Sequence, residues 1–453
     1  MTAREVAGLV ALDAALLALG SATVYGLGLV RSGRSAFRYC GLALFLGWAE
    51  LGLAGSFLAV TGASLALWQI LLLAAALTAA GLVLSRFVAP ATVPPALREA
   101  GAAAWVAAAG AAVAFVYLEA LFRRSKLAVT QAWDAQAFWV PKAAVLVYQG
   151  GLHARPTGFT SFTNQDYPLF APVQDAITFR FLGSVDPAGL PTQHLIIAAA
   201  FVAAIAAVLA DRVRPLVLWP GLAALVLMPG FGDLVGSSLG DEPLALLLAF
   251  AGVCVARWLV SPEPRWLAVA GLCTTAAAVT KIEGLPGALL VAVLLVAASR
   301  LRAWRAGLAL LAAPVAAVVP WRIWMHAHHI HPNSAFPYSK LLDAGYLGGR
   351  LGRLGTALAD LPGYLLGLDR WLLAVPAAVL LALLVVRRRP ALTVLVLGTA
   401  LLAFLGNAAI YWISPLDIHF YIDTSAARVV SSTTLFCAAV APLLLSEALG
   451  DDR

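Results

Sequence analysis

The chain has 453 residues, of which 62% are hydrophobic and 12% charged, and it carries a net charge of +7. Soluble globular chains are about 45–50% apolar and about 25% charged, so this composition excludes them and points to a polytopic membrane protein. The positive balance is not a nucleic-acid signal: the basic residues sit in short clusters between apolar runs, as topology signals do.

Apolar runs long enough to span a bilayer are the unit to look for. They occur near 6–29, 39–60, 65–85, 101–122, 193–210, 215–231, 243–260, 265–281, 284–300, 304–324, 371–386, 391–412 and 429–447. The expected fold class is an all-α polytopic membrane protein with about thirteen transmembrane helices. The first run is long and its basic flank, Arg31, Arg34 and Arg38, follows it, which does not suit a cleavable signal. Cys40, Cys254, Cys273 and Cys437 lie in or beside apolar runs without paired or CxxC spacing, so neither a metal nor a disulfide is expected of them.

Basic clusters recur at every second connection: Arg31/Arg34/Arg38, Arg86/Arg98, Arg212/Arg214, Arg257/Arg265, Arg300/Arg302/Arg305 and Arg387/Arg388/Arg389. Placed on the cytoplasmic side, they put the N-terminus outside and the C-terminus inside. Three longer connections, 123–192, 325–370 and 413–428, then fall on the outer face. Arg123, Arg124, Lys126, Arg350, Arg353 and Arg428 lie there against the inside bias. They bind an anionic group or snorkel to headgroups.

In the first of these loops, Phe138, Trp139, Val145, Leu146 and Tyr148 give 135–149 the character of an amphipathic helix in the membrane interface, with Pro141 starting a turn or kinking it. The segment 172–183 predicts a second surface or re-entrant helix, and the TNQDYP run at 163–168 a polar turn between them.

Asp134 and Asp166 share this loop, and two carboxylates at a membrane surface can divide the work of proton removal and substrate or metal positioning. Spacing alone leaves them equally ordinary loop acids. Asp241 and Glu242 open a helix, where the backbone dipole favours acids without any further role. Lys281 and Glu283 lie between two apolar runs, as a phosphate contact or as the polar turn of a helical hairpin. The run of His326, His328, His329 and His331 fits no usual zinc spacing, and no metal ligand is assigned. Asp417, His419, Asp423 and Arg428 precede the last span, and an arginine fork at that position suits a phosphate. Asp13, Glu50 and Glu119 fall inside apolar spans; helix–helix contacts are the favoured reading of Asp13 and Glu50, and proton coupling in a transporter the sharper alternative.

Taken in order, WDAQAFWVPKA at 133–143, DYPLFAP at 166–172, GDEPLALLLAF at 240–250, TKIEGL at 280–285 and HFYIDTSAARV at 419–429 resemble the GT-C superfamily of membrane glycosyltransferases. The likeness spans roughly 101–447 and is nearest to bacterial enzymes similar to protein O-mannosyltransferases and aminoarabinose transferases. It implies a polyprenyl-phosphate sugar donor, a glycan, lipid or protein acceptor, and an active site on the outer face of a bacterial cytoplasmic membrane. It also implies Asp134 as the acceptor base, with Asp166 beside it. Donor-phosphate binding falls to Lys281, Arg428 and Arg322, and substrate contact to Trp133, Lys142, Tyr167, Asp241, Glu242, Glu283 and His419. Some relatives use a divalent cation and others do not. One departure stands out: the catalytic loop usually follows the first helix, whereas here three apolar spans precede the span 101–122 that leads into it. Residues 1–100 are therefore expected to form an added three-helix unit before a core at 101–453. A lipid-glycan flippase or proton-coupled transporter is the competing reading, and a non-catalytic membrane scaffold a third.

Overall fold

In a computed structural model, residues 1–90, 94–125, 132–152, 163–332 and 337–450 are described, and all regular structure among them is helical. The N-terminal helices are α1 (Ala3–Gly26), α2 (Gly33–Val60), α3 (Leu67–Leu84) and α4 (Gly101–Ser125). A π-helical turn, Ala135–Trp139, leads into α5 (Val140–Tyr148), followed by α6 (Phe170–Leu182), α7 (Leu190–Leu209), α8 (Pro215–Leu227) and α9 (Pro229–Leu234). Next come α10 (Asp241–Val260), α11 (Pro264–Ala278), α12 (Gly284–Ala298) and α13 (Trp304–Ala327). The chain continues with α14 (Ala344–Gly348), α15 (Leu351–Leu366), α16 (Leu368–Trp371) and α17 (Ala374–Leu384), and ends with α18 (Pro390–Ile413), α19 (Ile418–Val429) and α20 (Ser431–Leu449).

A helix occupies each of the expected span positions, but their lengths differ. Among the described residues nine helices are long and apolar enough to cross a membrane, and ten if α15–α17, bent by 97°, counts as one span. The other expected spans are shorter: α8 has 13 residues, and α11 and α12 have 15 each. At 1.5 Å per residue, 15 residues rise about 22 Å, less than the roughly 30 Å hydrocarbon layer. Proline and glycine cause the shortening. Pro215 and Pro264 start α8 and α11, where a missing N–H costs nothing, and the Lys281–Gly284 turn separates α11 from α12.

The first three helices share one continuous apolar core with the rest of the chain. Helix α1 lies along α2 so closely that their backbones meet: a Cβ on Gly20 would sit 1.7 Å from the Ala43 carbonyl oxygen, and one on Gly47 2.0 Å from that of Leu16. Helix α2 also packs on α6, α7 and α11. The polar residues within these spans make cross-helix contacts. The Gln193 amide donates to Asp13 Oδ1 at 3.0 Å, and Thr23 donates to Glu50 Oε2 at 3.0 Å. The Gln174 amide donates to the Trp48 carbonyl at 2.5 Å. Asp13 and Glu50 thus take the helix–helix role expected of them, and Glu119 pairs with Arg123 one turn along α4.

The basic clusters gather at one end of the bundle. Arg38 and Arg257 both reach Asp211, at 2.9 and 2.8 Å, and Arg214 pairs with Glu99 at 2.8 Å. Arg265 donates to the Leu27 carbonyl at 3.2 Å, and Arg389 pairs with Glu447 at 2.8 Å. The helix termini at the opposite end carry the stretches on which the sequence argument turns.

Candidate functional site

The segment 133–143 is bent by its own composition. Pro141 offers no N–H and crowds the carbonyl four residues before it. The wide π turn at Ala135–Trp139 absorbs that conflict, and Val140 N–H donates to the Ala135 carbonyl to close it. The turn buries Phe138, Trp139 and Lys142 and leaves Trp133 70% exposed. Tyr167 stacks on Trp139 at 5.3 Å between ring centroids. On its other side, Trp139 lies against Gly240, where a Cβ would come within 2.6 Å of the indole ring. Any side chain at Gly240 would push this aromatic stack off the start of α10, which explains a glycine before Asp241.

Five charged side chains from four separate stretches meet beside this stack. Asp134 Oδ2 lies 2.6 Å from Arg428 Nη1, and the same nitrogen is 3.7 Å from Asp241 Oδ2. Lys281 Nζ is 2.8 Å from Asp241 Oδ1 and 3.3 Å from Glu283 Oε1. The order is acid, base, acid, base, acid. Neither Gly240 nor Glu283 makes a side-chain cap, although they cap α10 and α12. Asp241 finds Lys281 and Arg428 across the fold, whereas Glu283 pairs with Lys281 two residues before it. Burial works against the charge on Lys281, but the Asp241 and Glu283 carboxylates outweigh it and hold its pKa above the ordinary lysine range. Tyr167 is buried among Glu283, Asp241, Asp166 and Asp134, and its hydroxyl is pushed well up, first by burial and then by those charges.

A cavity of about 520 Å³ opens from this cluster. Its polar end is Asp241, Lys281, Glu283, Tyr338 and Arg428; the rest is mostly apolar wall from α10, α12, α18 and α20, including Leu244, Leu290, Leu402 and Phe436. Its volume lies within the roughly 300–1,000 Å³ usual for small-molecule sites. Tyr338 lies in a loop marked in the sequence only by its polar and aromatic character. Burial raises its hydroxyl's pKa, and the Glu283 charge adds to the shift.

The other expected site residues are placed around this centre. Lys142 is fully buried behind it, donates to the Asn164 carbonyl at 2.6 Å and faces the ring of Phe138 at 5.5 Å. Burial pushes its pKa down to about 7, against the pull of Asp166. Asp166 is buried, and its carbonyl accepts the Trp321 indole N–H at 3.0 Å. Glu242 points away from the cavity: its Oε2 is 2.9 Å from His194 Nδ1 and accepts the Gly236 N–H at 3.1 Å. His194 Nε2 is in turn 3.0 Å from Asp175 Oδ1, so one ring ties α6 and α7 to the start of α10. The sequence did carry a signal for His194, a lone ionisable residue in an apolar span. Arg322 and His419 are exposed and outside the cavity lining, although the Arg322 charge reaches the Tyr338 hydroxyl.

Several expectations for the outer loops change in the structure. The stretch expected as the loop 413–428 is mostly helix α19, with Asp417 capping it by accepting from Phe420 N–H at 2.9 Å. The segment expected as a surface or re-entrant helix is α6, buried on nearly every side. Its small and apolar residues let α1, α2 and α5 pack around it. Arg350 and Arg353 donate to the carbonyls of Ser414 and Leu416, at 2.6 and 2.7 Å, just beyond the end of α18. Such unmet carbonyls at a helix end draw donors. Lys126 lies outside the described residues. His328 donates to the Trp324 carbonyl at 2.8 Å and stacks on that ring. Among the described residues no three of His, Cys, Asp and Glu are gathered to hold a metal.

Comparison of the chain with family models, with curated proteins and with solved structures finds no match.

Proposed function

We propose that this protein is a GT-C-like membrane glycosyltransferase that moves a sugar from a polyprenyl-phosphate donor to an acceptor at the outer face of a bacterial cytoplasmic membrane. The observation that carries this reading is the cavity: an apolar channel among helices α10, α12, α18 and α20 that ends on two cations and two carboxylates, with Asp134 paired to one of the cations from outside the lining. An isoprenoid tail matches the wall, and a phosphate matches Lys281 and Arg428. The arginine clusters at the opposite end favour the cytoplasmic side for that end, which supports a cavity mouth that opens outside. On this topology the four shorter helices α8, α11, α12 and α17 also cross, and the bilayer or their neighbours adjust to their length.

The chemistry asks little beyond positioning. Lipid phosphate is a good leaving group, so the bond from the anomeric carbon to the phosphate oxygen breaks as the acceptor oxygen bonds to that carbon. Asp134 takes the acceptor's proton, and a single displacement inverts the anomeric centre. Arg428 and Lys281 stabilise the charge that grows on the departing phosphate, in a site with little water to screen it. With Asp134 Oδ2 at 2.6 Å from Arg428 Nη1, base and phosphate holder are already neighbours, so both substrates would meet within a few ångströms. Asp166, Lys142 and Tyr167 form the packed backing of that arrangement, and Trp133 stands at its exposed edge. The acids that speak for transport, Asp13 and Glu50, have partners on neighbouring helices.

The test uses the purified full chain in lipid nanodiscs with a prenyl-phosphate sugar. Asp134→Asn is expected to lower transfer by about 10²–10⁴-fold, the usual worth of a general base. Arg428→Ala and Lys281→Ala are each expected to weaken donor binding by about tenfold or more, the worth of one charged hydrogen bond. Normal transfer by Asp134→Asn would remove it as the base, and donor affinity unchanged in both cation variants would remove the phosphate site.

A further inference from the structure

The charged cluster at the polar end of the cavity, counted with Asp134 behind Arg428 and outside the lining, holds more acid than base. Asp134, Asp241 and Glu283 carry three formal negative charges, and Lys281 and Arg428 two positive ones, a sum of −1. Two helix starts face the cluster: Asp241 is the first residue of α10, and Glu283 caps α12. Each start contributes about half a positive charge, so the cluster as a whole is close to neutral. Arg322 is exposed on α13, outside the cavity lining, where solvent and salt screen it.

Three buried atoms at this end have no hydrogen-bond partner among the described residues: Asp241 Oδ2, Glu283 Oε2 and Arg428 Nε. Lys281 engages the other oxygen of each carboxylate, so Glu283 Oε2 has no donor and Asp241 Oδ2 has only Arg428 Nη1 at 3.7 Å, beyond hydrogen-bond distance. Unmet buried polar atoms are costly and uncommon, and they call for a partner that the described residues do not supply. The residues that own them all line the cavity. The unmet set is two acceptors and one donor.

We infer that Asp241 and Glu283 select the sugar of the donor: they accept hydrogen bonds from hydroxyl or ammonium groups and turn away a sugar that bears a carboxylate. This rests on the donor reading above and refines it. The donor phosphodiester brings one negative charge, and Arg428 Nε supplies a free donor to it. Among the described residues no cation other than Lys281 and Arg428 lines the cavity to meet a second anion. A uronate would place its charge against two buried carboxylates with little water between, where like charges repel far more strongly than in solution. A neutral sugar offers hydroxyl donors to the same oxygens, and an amino sugar offers an ammonium.

The experiment measures binding to the full chain in nanodiscs of a fifteen-carbon prenyl phosphate, bare and as its glucosyl, glucosaminyl and glucuronosyl phosphodiesters. The glucosyl and glucosaminyl forms are expected to bind within about threefold of each other, and the glucuronosyl form at least tenfold more weakly. Glu283→Gln is expected to shrink the glucuronosyl-to-glucosyl ratio to about threefold. That ratio is insensitive to a general loss of affinity, and Asp241→Asn gives the same readout if the first variant does not fold. Glucuronosyl binding as tight as glucosyl in the unaltered protein overturns the inference, as does a ratio left unchanged in the variants. Failure of every form to bind, bare prenyl phosphate included, overturns the donor reading and the selection with it.

Discussion

Lys142 keeps an ammonium group where no solvent reaches it, and this makes the centre sensitive to pH. Its pKa stands at about 7 in the folded chain against an ordinary 10.5, because burial disfavours the charged form more than the Asp166 charge favours it. The unfolded chain therefore binds more protons between those values, and stability rises with pH across that window. Below about pH 7 the penalty is fully present; above about 10.5 both states are neutral and it is gone. Lys142→Met is expected to raise the melting temperature more at pH 6 than at pH 9.5. A gain that is the same at both pH values would show that burial of the charge is not what the site suffers. Little of this was legible in the sequence, where Lys142 stands only as a substrate contact implied by the resemblance. Asp134 and Arg428 had suggestive neighbours but ordinary spacing, and only their pairing at 2.6 Å separates them from the exposed His419 and Trp133.

At the scale of elements, two packing features can be checked directly. Gly20 and Gly47 let α1 and α2 touch backbone to backbone, the small-residue contact on which helices in lipid rely. Gly20→Leu is expected to lower the melting temperature in detergent by several degrees. Gly33→Leu, at a position with no atom within 4 Å, should leave it unchanged. Equal behaviour of the two would mean that the α1–α2 contact is not needed. The second feature is the cavity wall. Ala403 on α18 lines it, so Ala403→Trp fills apolar space while Lys281 and Arg428 stay in place. Affinity for a long prenyl phosphate should fall about tenfold, and affinity for a two-isoprene analogue much less. Loss that does not depend on chain length would place the tail elsewhere. Helix positions were readable from apolar runs, because period and length are local properties. The shortness of α11 and α12 was less so, since the apolar runs 265–281 and 284–300 reach past Ala278 and Ala298, where the helices end.

For the whole molecule, the two ends of the bundle differ in charge chemistry, and this sets the expected topology. Cysteine introduced at Ala3 or at Gly33, in a Cys40→Ala background, offers one exposed thiol at each end of α1, since the remaining cysteines are buried. A membrane-impermeant maleimide is expected to label Ala3→Cys in intact cells and Gly33→Cys only after lysis. The opposite pattern would turn the protein over and put the cavity mouth inside. The N-terminal helices share one apolar core with the rest of the chain. What the sequence by itself determined was the membrane class, the helix positions, the alternation of basic connections and the stretches that matter, because apolar length and charge clustering are written along the chain. Only the tertiary structure decided which acid meets which base, that Glu242 turns to His194 while its neighbour Asp241 turns to Lys281, and that a cavity ends on them. Asp134 and Arg428 are 294 residues apart, and nothing local in the chain couples them. Their meeting follows from how the helices pack, and packing is a property of all the side chains at once.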